Sequence, residues 1–271
     1  MAIEKVLITV KTYPTISVKY DELVCTAGFR EDGTWIRIYP IQFRKKSYKD
    51  QYKKYEWIEI DLVKNTSDPR PESYRPHSED TEIKKVGEIL ADGNTWKKRR
   101  EIVLKNVYTD LSILIGEAKD RAVSTSLAVF KPTKIHKFIY EKVEDEWDSR
   151  KLEAMKQMNL FGSVKNDNFK VVKKLPYKFS YQWEDSNGKT TKMMIEDWEI
   201  GQLYWNCLKR HDGDKLKACK DVEKKYFDSF AKKKDIYLFL GTTKIHHYRA
   251  SNPFVIIGVF PPNPITQGSL F

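Results

Sequence analysis

The sequence predicts an α+β protein of two small strand-rich units, each a partial barrel or twisted antiparallel sheet with helices packed on it. Short runs rich in β-branched and aromatic residues open both halves of the chain. Asp32-Gly33 and Asn187-Gly188 separate neighbouring runs, and such dipeptides favour tight hairpin turns. Segments with helical spacing follow the strands in both halves, which is typical of α+β architecture.

In the first half the runs at 4–14, 22–30, 34–43 and 54–65 are predicted strands. Residues 67–76 hold three prolines, which exclude a helix and predict an extended loop. Residues 94–122 have helical character, with Asn94 or Thr95 as a capping residue and Gly116 as a break. Strand character returns over 126–143.

In the second half the polar stretch 144–169 predicts a short helix followed by a linker. A hairpin is expected over 177–198, then helices over 199–211 and 214–233 with a break at Asp212-Gly213. The chain ends in predicted strands at 235–243, 246–249 and 254–262. The predicted organisation is a first unit at 1–145, a linker at 146–170, a second unit at 171–262 and a tail at 263–271.

An internal duplication is one explanation for short sequence matches that recur 110 residues apart. Residues 126–138 align with 237–248 without gaps, and Thr-Lys-Ile-His is identical at 133–136 and 243–246. Identities this few also arise by chance between strands, so duplication stays open beside coincidence.

The charge balance is strongly basic, with a formal net charge of +11. Such a field attracts polyanions, among them nucleic acid. No apolar run approaches the roughly 18 residues that a membrane helix needs, so no membrane partner is expected. The N-terminus predicts a strand rather than a signal peptide. Cys25, Cys207 and Cys219 form no C-x-x-C pair, which argues against a zinc site or disulfide framework and for a cytoplasmic location.

Gln-x-x-Leu-Phe occurs twice, at Gln157–Phe161 and at Gln267–Phe271, again 110 residues apart. Random matches in a chain of this composition should number about 0.02. The first copy lies in the predicted linker and the second follows a proline-rich stretch beyond the last predicted strand. Both positions would leave the segment able to bind a partner.

The motif resembles the short peptides with which bacterial polymerases and repair proteins dock on the replication sliding clamp. The resemblance implies that Gln157 and Gln267 bond the rim of a pocket, and that Leu and Phe side chains fill its apolar floor. Those anchors are Leu160, Phe161, Leu270 and Phe271. Met158 matches the family's apolar second position, whereas Gly268 departs from it. The alternative is that each Leu-Phe pair packs on the protein's own core.

Three segments contain basic and aromatic residues that suit nucleic acid, because cations neutralise phosphates and rings stack on bases. Residues 43–57 interleave lysine with tyrosine, 67–76 is a stiff loop with two arginines, and 96–101 places four cations at a helix start. The predicted nucleic-acid contacts are Lys45, Lys46, Tyr48, Lys49, Tyr52, Lys53, Arg70, Arg75, Lys97, Lys98, Arg99 and Arg100. Inward packing of the tyrosines is the alternative.

No standard nucleotide-binding, hydrolase or metal-site signature occurs, so no cofactor and no metal are expected and catalytic residues are unknown. Glu196, Asp197 and Glu199 could hold a metal or cap a helix. Lys244, His246 and His247 would need a carboxylate from elsewhere, with one histidine facing inward and the other outward.

The predicted function is a DNA-associated accessory protein that docks on a bacterial sliding clamp in replication, repair or antiviral defence. Two alternatives stay open. One is a nuclease or nucleobase-modifying enzyme, and the other is an RNA-binding module.

Overall fold

The computed structural model of the chain describes residues 2–18, 21–88, 93, 95–161 and 171–265. Its helices and strands confirm the predicted α+β class and the two-unit architecture. Within these residues no helix is both long and apolar enough to cross a lipid bilayer.

The N-terminal part is a small barrel. Its strands are Ala2–Lys11 (β1), Thr15–Ser17 (β2), Asp21–Phe29 (β3), Trp35–Ile41 (β4), Glu56–Lys64 (β5), Ser73–Pro76 (β6) and Ile83–Glu88 (β7). They pair in the order β1-β3-β4-β6-β5-β7, and β5 also pairs with β1. Five strands therefore close on themselves, which removes the exposed edges of an open sheet. The β3–β4 hairpin turns at Gly33, whose φ of +85° a side chain would oppose.

The barrel interior follows from the period-two pattern of its strands. Val6 and Ile8 of β1, Ile36 and Ile38 of β4 and Ile58 of β5 point into one buried cluster. Each such side chain contributes about 1.5–3 kcal/mol when it leaves water. The alternate residues of β1 point the other way, which leaves a second apolar face outside the barrel.

The C-terminal part has most of the helices and two further sheets. Its elements are Lys97–Val103 (α1), Val107–Tyr108 (β8), Leu111–Lys119 (α2), Leu127–Phe130 (β9), Lys134–Lys142 (β10), Ser149–Phe161 (α3), Tyr177–Glu184 (β11), Thr190–Met194 (β12), Trp198–Arg210 (α4), Lys215–Glu223 (α5), the π-helical Lys224–Ala231, Tyr237–Thr242 (β13) and Phe254–Phe260 (β14). One sheet has the order β10-β11-β12 and the other β14-β13-β9-β8.

Strand pairing joins residues 127–142 to the later strands, whereas the sequence placed them in the first unit. β9 pairs with β13, and β10 pairs with β11. The pairing also separates the two Thr-Lys-Ile-His copies, since 133–136 leads into β10 and 243–246 lies in a turn. The matched residues thus do not occupy equivalent elements. Residues 246–249, expected as a strand, form a turn.

Local capping explains two further differences from the sequence prediction. The expected helix over 94–122 divides into α1 and α2, because the Asp110 side chain accepts a hydrogen bond from Ser112 N at 2.7 Å and starts a new helix. The Asp148 carboxylate accepts from Arg150 N at 2.9 Å, and the good helix formers that follow extend α3 to Phe161. Residues 73–76 of the predicted proline loop form β6.

The outer face of the barrel packs against the β14-β13-β9-β8 sheet and shares one core with it. Leu7 and Phe29 from the barrel meet Leu127, Phe239 and Phe260 from that sheet. The Trp35 and Phe239 rings lie edge to face at 5.6 Å. The two parts therefore bury a common apolar layer and hold a fixed relation.

A buried polar cluster also joins the barrel to the β14-β13-β9-β8 sheet. Arg37 is 2% exposed and donates to Ser126 Oγ at 2.7 Å and to the Ser126 carbonyl at 3.1 Å. Arg70 is 5% exposed, pairs with Asp68 at 2.5 Å and donates to the Thr242 carbonyl. Burial works against the Asp68 charge, but Arg70 outweighs it and lowers the pKa of that carboxyl to about 2.

We expect Asp68→Ala to lower the free energy of unfolding by about 3–5 kcal/mol, because it leaves Arg70 buried without its counter-ion. Urea denaturation followed by tryptophan fluorescence measures the change. Glu141→Ala is the control, since its pair with Lys192 is 44–46% exposed and should contribute far less to stability. Equal losses in the two variants would contradict the structural role of the Asp68–Arg70 pair.

Candidate functional site

The segment of interleaved lysine and tyrosine, residues 43–55, is a loop between β4 and β5 rather than a continuous helix. Two short 3₁₀ turns, Phe43–Lys45 and Tyr48–Asp50, shape it. Tyr48 is 89% exposed, and Lys49 and Lys53 are also exposed. Lys45 and Lys46 are half-buried. These five residues keep the predicted role as candidates. We call this segment the 43–55 loop.

Tyr52 is a correction to the predicted nucleic-acid contacts. It is 1% exposed, its hydroxyl shares a 2.5 Å hydrogen bond with Thr26 Oγ1, and its ring packs edge to face on Phe43. Burial raises the pKa of the Tyr52 phenol. The ring is part of the barrel core, as the inward-packing alternative described, and cannot stack on a base.

Two of the four predicted contacts in α1 are also used internally. Arg99 is 9% exposed and lies over the Tyr55 ring at 4.0 Å. Arg100 pairs with Asp235 at 2.7 Å and donates to the Asn263 carbonyl at 2.8 Å. Both guanidinium groups are therefore used in contacts within the protein.

The remaining predicted cations differ in how far they reach solvent. Lys97 and Lys98 are exposed. Arg75 is exposed and donates to the Pro76 carbonyl at 3.3 Å. Arg70 lies in the buried junction described above, so its predicted contact with nucleic acid is wrong for this fold.

An open cleft of about 450 Å³ lies between the 43–55 loop and α4. We call it the lysine cleft. The barrel side contributes Lys11, Lys53 and Lys54. The helix side contributes Trp198, Glu199, Gln202, Leu203 and Asn206. Its volume lies within the range of small-molecule sites, and its side chains offer cations, amides and one indole.

The end of β1 holds α4 in place beside the loop. Tyr13 N donates to the Glu196 carbonyl at 2.8 Å, and its hydroxyl accepts from Trp205 Nε1 at 2.7 Å. A side chain at Gly201 would collide with the Tyr13 ring, since a Cβ there would lie 2.2 Å from it. The Tyr13 ring can therefore pack directly against the α4 backbone.

A strained turn aims two of the lysines at the cleft. Tyr55 has a φ of 67°, which is unusual for a bulky side chain. The Tyr55 amide donates to the Ile8 carbonyl at 2.6 Å, and Arg99 covers its ring. These contacts hold the turn that carries Lys53 and Lys54 to the edge of α4.

Lys54 and two carboxylates at the start of α4 form an ion cluster, in which the side chains of Lys54, Asp197 and Glu199 are 10%, 2% and 54% exposed. Lys54 Nζ lies 3.2 Å from Glu199 Oε2 and 3.5 Å from Asp197 Oδ2. Burial opposes the Lys54 charge, but Asp197 and Glu199 outweigh it and hold the pKa of Lys54 above its ordinary value. The Asp197 carboxylate also accepts from Glu199 N at 3.2 Å and caps α4, which confirms the capping interpretation.

Lys11 is the second unusual amine of the cleft. Its Nζ lies 4.5 Å from the centre of the Phe43 ring and 5.6 Å from that of Trp198, and it donates to the Tyr52 carbonyl at 3.1 Å. Burial lowers the pKa of Lys11 to about 8, with Lys54 acting in the same direction and Glu199 against it. The uncharged form of Lys11 is therefore more populated near neutral pH than that of an exposed lysine.

The histidine pair behaves as predicted, with His246 exposed and His247 fully buried. His247 Nε2 lies 2.9 Å from Ser124 Oγ, and Nδ1 lies 2.9 Å from Thr242 Oγ1. Burial lowers the pKa of His247, and Arg70 and Arg37 add to that effect. Within the part of the chain that the structure describes, no three His, Cys, Asp or Glu side chains are grouped to hold a metal ion.

The first Gln-x-x-Leu-Phe copy occupies the last turns of α3, where the sequence predicted a linker. Gln157 is exposed there. The side chains of Met158, Leu160 and Phe161 lie outside the described residues, as does the second copy with Gln267, Leu270 and Phe271. Clamp docking by either copy stays a prediction.

Sequence reasoning missed Lys11, Lys54, Trp198, Gln202 and Asn206 as members of one site. Gln202 and Asn206 are exposed at i and i+4 on α4, which is a local signal of a shared polar face. Nothing local reveals that this face meets the end of β1, which lies about 190 residues earlier in the chain.

Two family models divide the sequence. The model described as Domain of unknown function (DUF8758) matches residues 2–105, and that described as Domain of unknown function (DUF8757) matches residues 109–271. No curated protein matches the sequence. A solved structure of a murine DNA-binding protein bound to double-stranded DNA aligns over 99% of this chain and 100% of that chain, at a TM-score of 0.32 and 10% identity. A likeness of that size carries no argument.

We expect the Lys11 amine to titrate with a midpoint near pH 8. Competitive labelling with trace acetic anhydride over about pH 6 to about pH 10, read by peptide mass spectrometry, measures the uncharged fraction of each amine. A lysine-containing peptide added to the mixture is the standard. Because the folded site lowers the pKa, labelling of Lys11 should reach half its maximum well below the pH at which the standard does. Coincident curves for Lys11 and the standard would contradict this.

Proposed function

The chain belongs to the family described as Domain of unknown function (DUF8757), and we propose that it binds nucleic acid with unpaired bases, DNA in the first instance. The strand would lie along the 43–55 loop and enter the lysine cleft. The observation that carries the proposal is the 89% exposure of Tyr48 among cations whose loop continues into that cleft. An exposed tyrosine ring beside lysines offers a face on which a base can stack while the lysines contact phosphates.

The chemistry of the loop suits a single strand more than a duplex. Lys45, Lys46, Lys49 and Lys53 are spaced along the 43–55 loop, where they can contact successive phosphates of one strand. Tyr48 offers a ring face to one base, and stacking of that kind tolerates any base. In a duplex the faces of the bases are stacked on neighbouring base pairs, so the Tyr48 ring could not stack on them.

The cleft adds a place where one nucleotide can be held more closely. Lys11, Lys53 and Lys54 supply positive charge, of which Lys54 is already balanced by Asp197 and Glu199. Gln202 and Asn206 carry both donors and acceptors, which is what the edge of a base requires. The alternative of a metal-dependent nuclease finds no support at Asp197, because that carboxylate caps α4 and pairs with Lys54.

We expect Tyr48→Ala to weaken binding of a single-stranded oligonucleotide by about 1–3 kcal/mol, because one stacking contact is lost. Fluorescence anisotropy of a labelled strand at fixed salt measures it. Tyr48→Phe is the matched control, since it keeps the ring and should bind as the natural protein does. Ile245→Ala removes apolar surface elsewhere that is 69% exposed, and should have no effect. If Tyr48→Ala bound unchanged, base stacking on the loop would be excluded.

The four loop lysines are tested together through the salt dependence. Changing Lys45, Lys46, Lys49 and Lys53 to alanine should reduce the slope of log K against log salt by up to about 3, at about 0.7 for each phosphate contact. A control with Lys189, Lys217, Lys220 and Lys224 changed to alanine removes the same charge from other exposed positions. Equal slopes in the two variants would contradict a loop-centred site. Competition with RNA of equal length decides between the DNA and RNA versions of the proposal.

Docking on a bacterial sliding clamp is the second proposal, supported by the repeated motif and by the exposure of Gln157. Binding to purified clamp should weaken in Phe161→Ala and in Phe271→Ala and vanish in the double variant. Affinity per copy should be on the order of micromolar, since ordering a short peptide offsets much of the burial of Leu and Phe. Leu216→Ala, at a side chain 59% exposed on α5, is the control. Absence of binding by the natural protein would end the proposal.

A further inference from the structure

Lys11 differs from the other amines of the lysine cleft in its surroundings. Lys54 lies within 3.5 Å of two carboxylates, whereas none of the described residues is close enough to Lys11 to form a salt bridge. Three rings, those of Phe43, Tyr52 and Trp198, lie within 5.8 Å of its Nζ, and one carbonyl accepts its hydrogen bond. Burial lowers the pKa of the Lys11 amine to about 8, so more of it is uncharged near neutral pH than of an exposed lysine.

An uncharged amine beside a bound strand can act as a nucleophile if the strand offers an electrophilic carbon. Intact nucleic acid offers none that an amine attacks readily. A sugar that has lost its base does, because its ring opens to an aldehyde at C1′. Loss of the base also makes the nucleotide smaller and frees it from stacking, so it can enter a cleft of about 450 Å³.

We infer that Lys11 forms an imine with the aldehyde of a base-less sugar in the strand that the cleft holds, which rests on the proposed binding of nucleic acid. The Nζ lone pair attacks C1′, and a proton moves from nitrogen to the former carbonyl oxygen to give a carbinolamine. Loss of one water molecule then forms the C=N bond. No oxidant or reductant takes part, and hydrolysis reverses the step. Lys53 at the cleft edge is placed to hold a flanking phosphate.

Borohydride trapping tests the inference. A single strand with one abasic site is incubated with the protein, sodium borohydride is added, and the mixture is resolved on a denaturing gel. The reduced amine is a stable covalent adduct, and peptide mapping should place it on Lys11. Lys11→Arg keeps a positive charge but cannot form the imine, so its adduct should fall to the level seen with an undamaged strand. Lys189→Arg, on the exposed β11–β12 turn, should cross-link as the natural protein does.

Binding to a strand with a tetrahydrofuran residue separates this inference from the proposed function. That residue mimics the base-less sugar without an aldehyde, so the natural protein should bind it and give no borohydride adduct. Binding of the abasic strand without any trapped adduct, or an adduct that persists in Lys11→Arg, would overturn the role of Lys11 and leave nucleic-acid binding standing. Failure of the natural protein to bind either strand would overturn both.

Discussion

The lysine cleft depends on one backbone contact, between the end of β1 and the start of α4. Tyr13 N donates to the Glu196 carbonyl at 2.8 Å, and Thr12 and Asp197 form a bridge beside it. This contact brings the barrel strand that carries Lys11 against the helix that carries Trp198. Because Gly201 has no side chain, the Tyr13 ring fills the remaining gap. Any change that moved α4 by the width of one methyl group would open the cleft and separate its two walls.

The same cleft gives two lysines opposite properties. Burial removes water from both amines, which by itself favours the uncharged form. Lys54 recovers the lost solvation from Asp197 and Glu199, and so remains a cation that fixes the start of α4. Lys11 donates to one carbonyl and lies among ring faces, and Glu199 and Asp197 favour its charge only from beyond salt-bridge distance, so the effect of burial prevails. One amine therefore serves structure and the other is left available for chemistry, a division set by the position of two carboxylates.

Local signals in the sequence predicted most elements, because period-two runs, Asp-Gly turns and helix breaks act over a few residues. The β3–β4 hairpin, the turn at Gly188 and the capping role of Asp197 follow from such signals. What the sequence could not provide is which strands pair. Residues 127–142 have the same composition as barrel strands, yet β9 and β10 pair with strands more than 30 residues further on. The cleft joins Lys11 to Asn206 and was invisible for the same reason.

Net charge in a sequence is not the charge that a ligand meets, and the basic segments illustrate the difference. Arg70 and Arg100 are committed to Asp68 and Asp235, and recruiting either to a phosphate would take an ion-pair partner from a partly buried carboxylate. That loss would cost more than one exposed phosphate contact returns. Lys49 and Lys53 of the 43–55 loop carry no such cost, since both side chains already stand in water. A polyanion should therefore meet this chain first at the loop, and the cleft beside it is the next surface that the strand would reach.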